Sequence, residues 1–259
     1  VIAERLKPLY PVKLIADGRS HFYQIGDDET FRPGVTTVLG VLNKPALIPW
    51  AVKSASDNIK DYLLKNALDK PLTKEEVEKA CEEGKNIYKK KASEAADVGS
   101  RVHQAIDSII KGEKKDIPED IRSGVDGFLA WKGSNSLTIE LGDTRLGSKL
   151  FGYGGSLDMV AFDGNEAIIF DFKTTKKRKD RDHGIYPEYG IQLASYANAF
   201  TETYGIPVKD VYALWLDKEK PGFKALKVSN IGACFEVFLA CLKIYKSSKY
   251  EFFDEQAII

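Results

Sequence analysis

Between 155 and 173 two apolar runs, GSLDMVAF and AIIFDFK, flank a polar turn beginning Asp163-Gly164. Two such runs bounded by turn formers predict a hairpin with strands at 155–162 and 167–173. Comparable runs predict strands at 136–142, 148–153 (short), 209–216 and 222–228, and helical periodicity predicts helices at 118–132, 188–204 and 231–247. From Ala92, the positions Ala95, Ala96, Gly99, Val102/His103, Ile106 and Ile109/Ile110 keep helical spacing, which puts His103 at the edge of the inward face. The order helix, strands, helix, strand implies an α/β fold with a central mixed β-sheet flanked by helices.

Before that core the pattern changes. VKLIADGRSHFYQIGD predicts a hairpin over about 12–25, and Pro45 and Pro49 punctuate the chain so that a helix starts near Pro49. Thr73 followed by Glu76 is a capping box, opening a charged helix that runs to about Gly112 with breaks expected at Gly84 and Gly99. Residues 1–91 therefore read as a hairpin and mainly helical extension packed on a core at 92–259.

The central hairpin carries charge that an ordinary half-buried strand avoids. With a two-residue Asp163-Gly164 turn, Asp158 lies opposite Ile169 and diagonal to Asp171; with a four-residue loop it lies opposite Asp171. Either way Asp158, Asp171 and Lys173 share one face, because side chains alternate with period two. A three-residue loop would put Asp158 on the other face. Two neighbouring carboxylates in partly buried surroundings need a compensating cation, and oxygen donors of this kind suit Mg²⁺ or Mn²⁺. Lys173, pointing the same way, is suited to orient or help deprotonate an attacking water and to offset charge on a phosphodiester transition state.

Composition narrows the setting. The 259 residues carry 38 basic and 38 acidic side chains, so no global field draws in nucleic acid. Locally, KTTKKRKDR at 173–181 holds six basic residues against Asp180. No apolar run approaches a membrane span, nothing resembles a signal peptide, and the three cysteines form no CxxC pair; a cytoplasmic setting is expected, in a bacterium or phage-infected cell, with an organellar origin left open.

A bare D-x-K arises about once by chance in a chain this size. Two further stretches give it weight: GSRVHQAID at 99–107 and IQLASYANAF at 191–200, where Gln192 and Tyr196 lie one helical turn apart. The ordered set His103, Asp158, Asp171-x-Lys173, Gln192-x-x-x-Tyr196 resembles the PD-(D/E)XK nuclease superfamily, in particular its RecB-like exonuclease branch. GVTTVLG followed by PALIPWAVK resembles the N-terminal region of that branch, so the likeness runs from about 34 to 204.

The resemblance implies a restriction-endonuclease-like core and a metal-dependent DNA exonuclease of recombination, repair or phage DNA metabolism. Alternatives are a structure-specific endonuclease with the same site, or a non-catalytic nucleic-acid-binding module. It implies metal binding by His103, Asp158, Asp171 and the Phe172 carbonyl, with Lys173 as the catalytic lysine. Gln192 and Tyr196 would position DNA or the scissile phosphate, and Thr174, Thr175, Lys176, Lys177, Arg178 and Lys179 would touch the phosphate backbone. Glu140 is a candidate outer carboxylate, balanced by its reading as an exposed strand residue. Asp171 stands where Glu is more usual. Some relatives hold an iron–sulfur cluster on four cysteines, so none is expected here. A homo-oligomer or a recombination partner protein is compatible with the resemblance. Trp50, Tyr186 and Tyr189 are read as packing residues rather than base-stacking platforms, and His21 and His183 as surface residues.

Overall fold

The computed structural model describes residues 6–16, 21–42, 44–45, 47–66, 71–113 and 116–248. The chain divides into two compact units, Val1–Leu42 with Arg101–Ile259, and Asn43–Ser100.

The first unit is built on a five-stranded sheet in the order β4-β5-β6-β7-β8 (Thr138–Ser148, Tyr153–Asp163, Glu166–Thr175, Val208–Asp217, Phe223–Lys227). All neighbours are antiparallel except β6 and β7, so the sheet is mixed, as the sequence predicts. The parallel pair is joined through helix α5 (Glu188–Tyr204), since parallel strands need a crossover that a tight turn cannot make. Strand β6, EAIIFDFKTT, is buried on both faces from Ala167 to Phe172, which explains its nearly continuous apolar run.

One face of the sheet receives α5 and the last helix, α6 (Ile231–Ser247): Leu193, Ala197, Phe200, Phe238 and Leu242 join Val160, Ile169 and Val211 in one core. On the other side Phe128 and Trp131 of α4 (Glu119–Gly133) meet Phe172 and Phe170 at ring-centroid distances of 5.6 and 5.0 Å. Helix ends follow local chemistry. Asn230 caps α6 by accepting the Ala233 amide, and Gly205, at φ +68°, ends α5 with its amide on the Thr201 carbonyl.

A small antiparallel sheet, β1-β2-β3 (Val12–Ala16, His21–Ile25, Asp28–Pro33), is set against β5. The expected hairpin is present in β1 and β2, although its turn at 17–20 lies outside the described residues. Strand β3 is additional: DETFRP is mostly polar, with Phe31 its one large apolar side chain, and it is ordered by pairing with β2. Its end leads to a short helix, α1 (Val35–Val38), and a 3₁₀ turn, Leu39–Val41.

Two local expectations are corrected. The separate strand at 148–153 is instead the end of one long β4, a turn, and the start of β5; Gly152 turns the chain at φ +71° while Ser148 Oγ accepts the Phe151 amide at 3.0 Å. Nor do Gly84 and Gly99 break their helix. Helix α3 runs unbroken over Lys74–Ile110, opened by both halves of the Thr73/Glu76 capping box, at 2.8 and 3.2 Å. Gly84 is used for close packing: a Cβ there would stand 2.6 Å from Ile59 of α2 (Leu47–Asn66). Among the described residues, no helix is long and apolar enough to cross a membrane.

Candidate active site

Residues of four elements, β5, β6, α3 and α5, meet where β5 and β6 stop pairing. Their register runs Asp163↔Glu166 to Met159↔Phe170, with Gly164 at φ +62° in the turn. This is the register of the longer-loop alternative, in which the next pair is Asp158 with Asp171, while the turn itself is Gly164-Asn165. Beyond Met159 the ladder is replaced by a side chain: Phe172 N–H donates to Asp158 Oδ2 at 2.6 Å. In a strand the N–H and C=O of one residue leave by the same edge, so the Phe172 carbonyl is directed to this opening too.

His103 reaches the opening from α3. Its Nδ1 lies 3.1 Å from Asp158 Oδ1, and its ring stands edge-on to Phe172 at 5.5 Å. On the other side, Lys173 forms an ion pair with Asp171 Oδ2 and donates to Gln192 Oε1 at 3.0 Å. Gln192 Nε2 in turn donates to the Tyr196 hydroxyl at 2.8 Å. Thus His103, Asp158, Asp171, Lys173, Gln192 and Tyr196, spread over 94 positions of sequence by their numbers, meet as two bonded groups, His103 with Asp158 and Asp171 with Lys173, Gln192 and Tyr196, which act on each other through charge.

The cluster is deeply placed and electrostatically strained. Asp171 is 4% exposed, and burial, assisted by the Asp158 charge, raises its carboxyl to about 6 despite the Lys173 ammonium beside it. Burial would likewise raise Asp158, but the His103 and Lys173 charges and the Phe172 amide outweigh it and hold that carboxyl low. For Lys173 and His103, burial disfavours the cation, yet the neighbouring carboxylates win and both titrate above their ordinary values. The environment therefore pushes the two carboxyls in opposite directions, a separation typical of sites that assign different tasks to similar groups.

The donor set suits a hard divalent cation in kind. Asp171 Oδ2 is buried and accepts no well-aligned hydrogen bond, its contact with Lys173 being one of charge. Among the described residues, however, no three His, Cys, Asp or Glu side chains are grouped as a metal site. Both Asp158 oxygens are engaged by protein donors, and His103 Nδ1 faces Asp158.

Close packing onto glycine holds the cluster in place. A Cβ at Gly155 would stand 2.6 Å from Tyr196 Cε1, and one at Gly154 would overlap the Tyr23 ring, so the strand backbone itself is the surface on which both rings lie. Tyr23 OH is 3.1 Å from Ser156 Oγ, which also accepts from Arg145 at 3.1 Å. The sequence offered no sign of this polar chain, because a glycine's packing partner is known only once the distant ring is placed.

The remaining candidates lie around this centre. Thr174 Oγ1 is buried without a partner among the described residues, and Thr175 Oγ1 is tied to the Gly184 carbonyl and Trp215 Nε1 at 3.2 and 3.0 Å. Lys176 pairs with Glu219, and Arg178 and Arg181 share Asp180. Lys177 and Lys179 are exposed and have no acidic partner among the described residues. Glu140 is the bulged residue where the β4–β5 register shifts between Ile139 and Leu141. Tyr186, which is 41% exposed, and Tyr189 meet edge-on, and each also faces a cation: Arg178 lies 4.8 Å from the Tyr186 ring and Lys173 4.6 Å from that of Tyr189. The signal available in the sequence was Tyr189 at three residues before Gln192, on the same helical face.

No protein-family profile matches the chain, and no curated protein matches it. Among solved structures, SSO0001 aligns over 81% of this chain and 89% of its own, with 10% identity and a TM-score of 0.34. The alkaline exonuclease LHK-Exo from Laribacter hongkongensis aligns over 61% of this chain and 89% of its own, with 14% identity and a TM-score of 0.31. The complex of LHK-Exo with dAMP gives 16% identity, 61% and 91% coverage and a TM-score of 0.30. Likeness at this level carries no argument about chemistry, which rests on the residues of the site.

Proposed function

We propose that this protein is a divalent-metal-dependent DNA exonuclease of the PD-(D/E)XK superfamily, from its RecB-like branch, acting in recombination, repair or phage DNA metabolism. The observation that carries the reading is the meeting of Asp158, Asp171 and Lys173 at the opened end of a hairpin, with Gln192 fixing the lysine.

Mg²⁺ or Mn²⁺ would supply Lewis acidity and a lowered pKa for bound water. Asp158, Asp171, the Phe172 carbonyl and His103 would hold the ion, with His103 and Asp158 giving up the contact they now make with each other. The chain's own residues do the rest. Asp171, ionised above about pH 6, supplies negative charge and keeps Lys173 in place. Lys173 offers an ammonium to the attacking water and to charge growing on the phosphate oxygens. Gln192, held by Tyr196, orients that ammonium, and the buried α5 face keeps bulk water from it. Lys177 and Lys179, with Lys176 and Arg178 nearby, would track the DNA backbone without reading sequence.

End-labelled linear and covalently closed circular DNA, each incubated with Mn²⁺, Mg²⁺ or EDTA, test this. The expected result is metal-dependent loss of linear DNA alone, abolished in Asp171→Ala and Lys173→Ala proteins that keep the wild-type circular dichroism. Cutting of the circle would replace the exonuclease with an endonuclease, and binding without cleavage would overturn the enzymatic reading.

A further inference from the structure

We propose that Tyr189 is a positioning residue for Lys173, its ring forming the third wall of the pocket that holds the ammonium. The proposal rests on the nuclease reading for the purpose of that pocket, though not for its existence.

An ammonium has three donors on a flexible four-carbon stem, so fixing it to within a fraction of an ångström takes restraints from more than one direction. Two restraints on Lys173 are polar: the Asp171 carboxylate and Gln192 Oε1 at 3.0 Å. Alone, they leave the ammonium free to swing about the line joining them. Tyr189 closes the remaining direction, with Nζ 4.6 Å from its ring centroid, a distance at which the negative face of the ring attracts a cation. The side chain of Lys173 is only 14% exposed, and in such a partly desolvated place this attraction is stronger than on an open surface.

The fold gives Tyr189 little freedom to leave. It is the second residue of α5, where its own amide bonds the Tyr186 carbonyl at 3.1 Å and the Gly190 amide bonds that of Pro187 at 3.0 Å. Its ring meets Tyr186 edge-on at 5.8 Å, and Tyr186 carries the Arg178 guanidinium. Tyr189, Gln192 and Tyr196 fall at i, i+3 and i+7, so a single stripe of one helix supplies the ring, the amide that touches the lysine, and the hydroxyl that holds the amide. A ring face attracts a cation without accepting a directed hydrogen bond, so it restrains Lys173 while leaving its donors available to a phosphate oxygen.

Tyr189→Phe keeps the ring face and Tyr189→Leu removes it. The first readout needs no substrate: in proton NMR of lysine-labelled protein, with Lys173 assigned through Lys173→Arg, its Hε protons are expected upfield of those of lysines that face no ring, a shift shared with Lys149, which lies 4.3 Å from the Tyr10 ring. That shift should persist in Tyr189→Phe and vanish in Tyr189→Leu. The second is kinetic: Tyr189→Leu is expected to lower kcat about tenfold with KM unchanged, and Tyr189→Phe to restore kcat. An unshifted Lys173 signal in the wild-type protein overturns the proposal even if Tyr189→Leu fails to fold. So does a Tyr189→Leu protein whose defect lies in KM alone, which would make the ring a substrate contact. A wild-type protein that shows the shift but cleaves no DNA in any metal rejects the nuclease reading and leaves the pocket standing.

Discussion

Phe172 donates its amide to Asp158 Oδ2 at 2.6 Å, in the position where a carbonyl of β5 would close the next rung of the ladder. One hydrogen bond thus ends the sheet pairing and orients a candidate ligand. Removing its acceptor leaves a buried amide unsatisfied and takes the partner from His103 Nδ1, so Asp158→Ala should cost on the order of 1–3 kcal/mol in urea unfolding. Asp158→Asn keeps a carbonyl oxygen for the Phe172 amide and should lose clearly less, while both variants lose cleavage. Equal destabilisation of the two would show that the amide contact is not what matters.

The raised carboxyl of Asp171 gives the metal-free protein a specific pH dependence. An ordinary aspartate titrates near 3.8 and Asp171 at about 6, so between those values the folded state binds more protons than the unfolded one. Stability from this group is complete below the lower value and falls as pH rises through the upper, by on the order of 2–3 kcal/mol. Asp158 contributes the opposite slope, and because its charge acts on Asp171 a pairwise comparison removes that slope only in part. The difference in unfolding free energy between wild type and Asp171→Asn, measured in EDTA, should therefore change across pH 4–6 and level off above. A flat difference would mean that burial does not hold the proton on Asp171.

Period-two alternation was enough to put Asp158, Asp171 and Lys173 on one face, because parity survives either of the turns weighed for FDGNE. The turn itself was not legible: Asp163-Gly164 and Gly164-Asn165 differ by one residue in local preference, and the choice is made by how far the β5–β6 ladder extends. The apolar-rich helices at 188–204 and 231–247 were readable to the residue, since their apolar faces meet the sheet core. Gly84, by contrast, reads as a break but serves a packing contact with Ile59. The ring seats on Gly154 and Gly155 depend on partners remote in sequence, and no local pattern encodes them; β3 pairs with its neighbour β2 across the Gly26-Asp27 turn, but its polar run hides it.

Those ring seats separate stability from function. At Gly155 a methyl group would press on Tyr196 Cε1 from 2.6 Å and push the ring away from Gln192, whereas at Gly154 it would meet Tyr23, one step further from Lys173. Overpacking of this kind typically costs about 1–3 kcal/mol. Gly154→Ala and Gly155→Ala should thus destabilise comparably in thermal unfolding, but Gly155→Ala should lower cleavage more, at temperatures where both remain folded. The reverse ranking would remove Tyr196 from the support of Lys173.

The basic run after β6 makes a final distinction, between lysines that are already paired and those that are not. Lys176 faces Glu219, and Arg178 and Arg181 share Asp180, so DNA phosphates would have to compete with a carboxylate for each. Lys177 and Lys179 face no such competition among the described residues. Each backbone contact releases counterions and steepens the fall of log K with log salt by about 0.7–0.9. Replacing Lys177 and Lys179 together by Ala should flatten that slope by about 1.4–1.8, with Lys176→Ala changing it less than either single replacement. Fluorescence anisotropy on labelled oligonucleotides, with Ca²⁺ in place of Mg²⁺ to hold back cleavage, measures the slope. An unchanged slope in the double variant would mean that the loop does not track the phosphate backbone, and the affinity for DNA would then have to come from the other edge of the site.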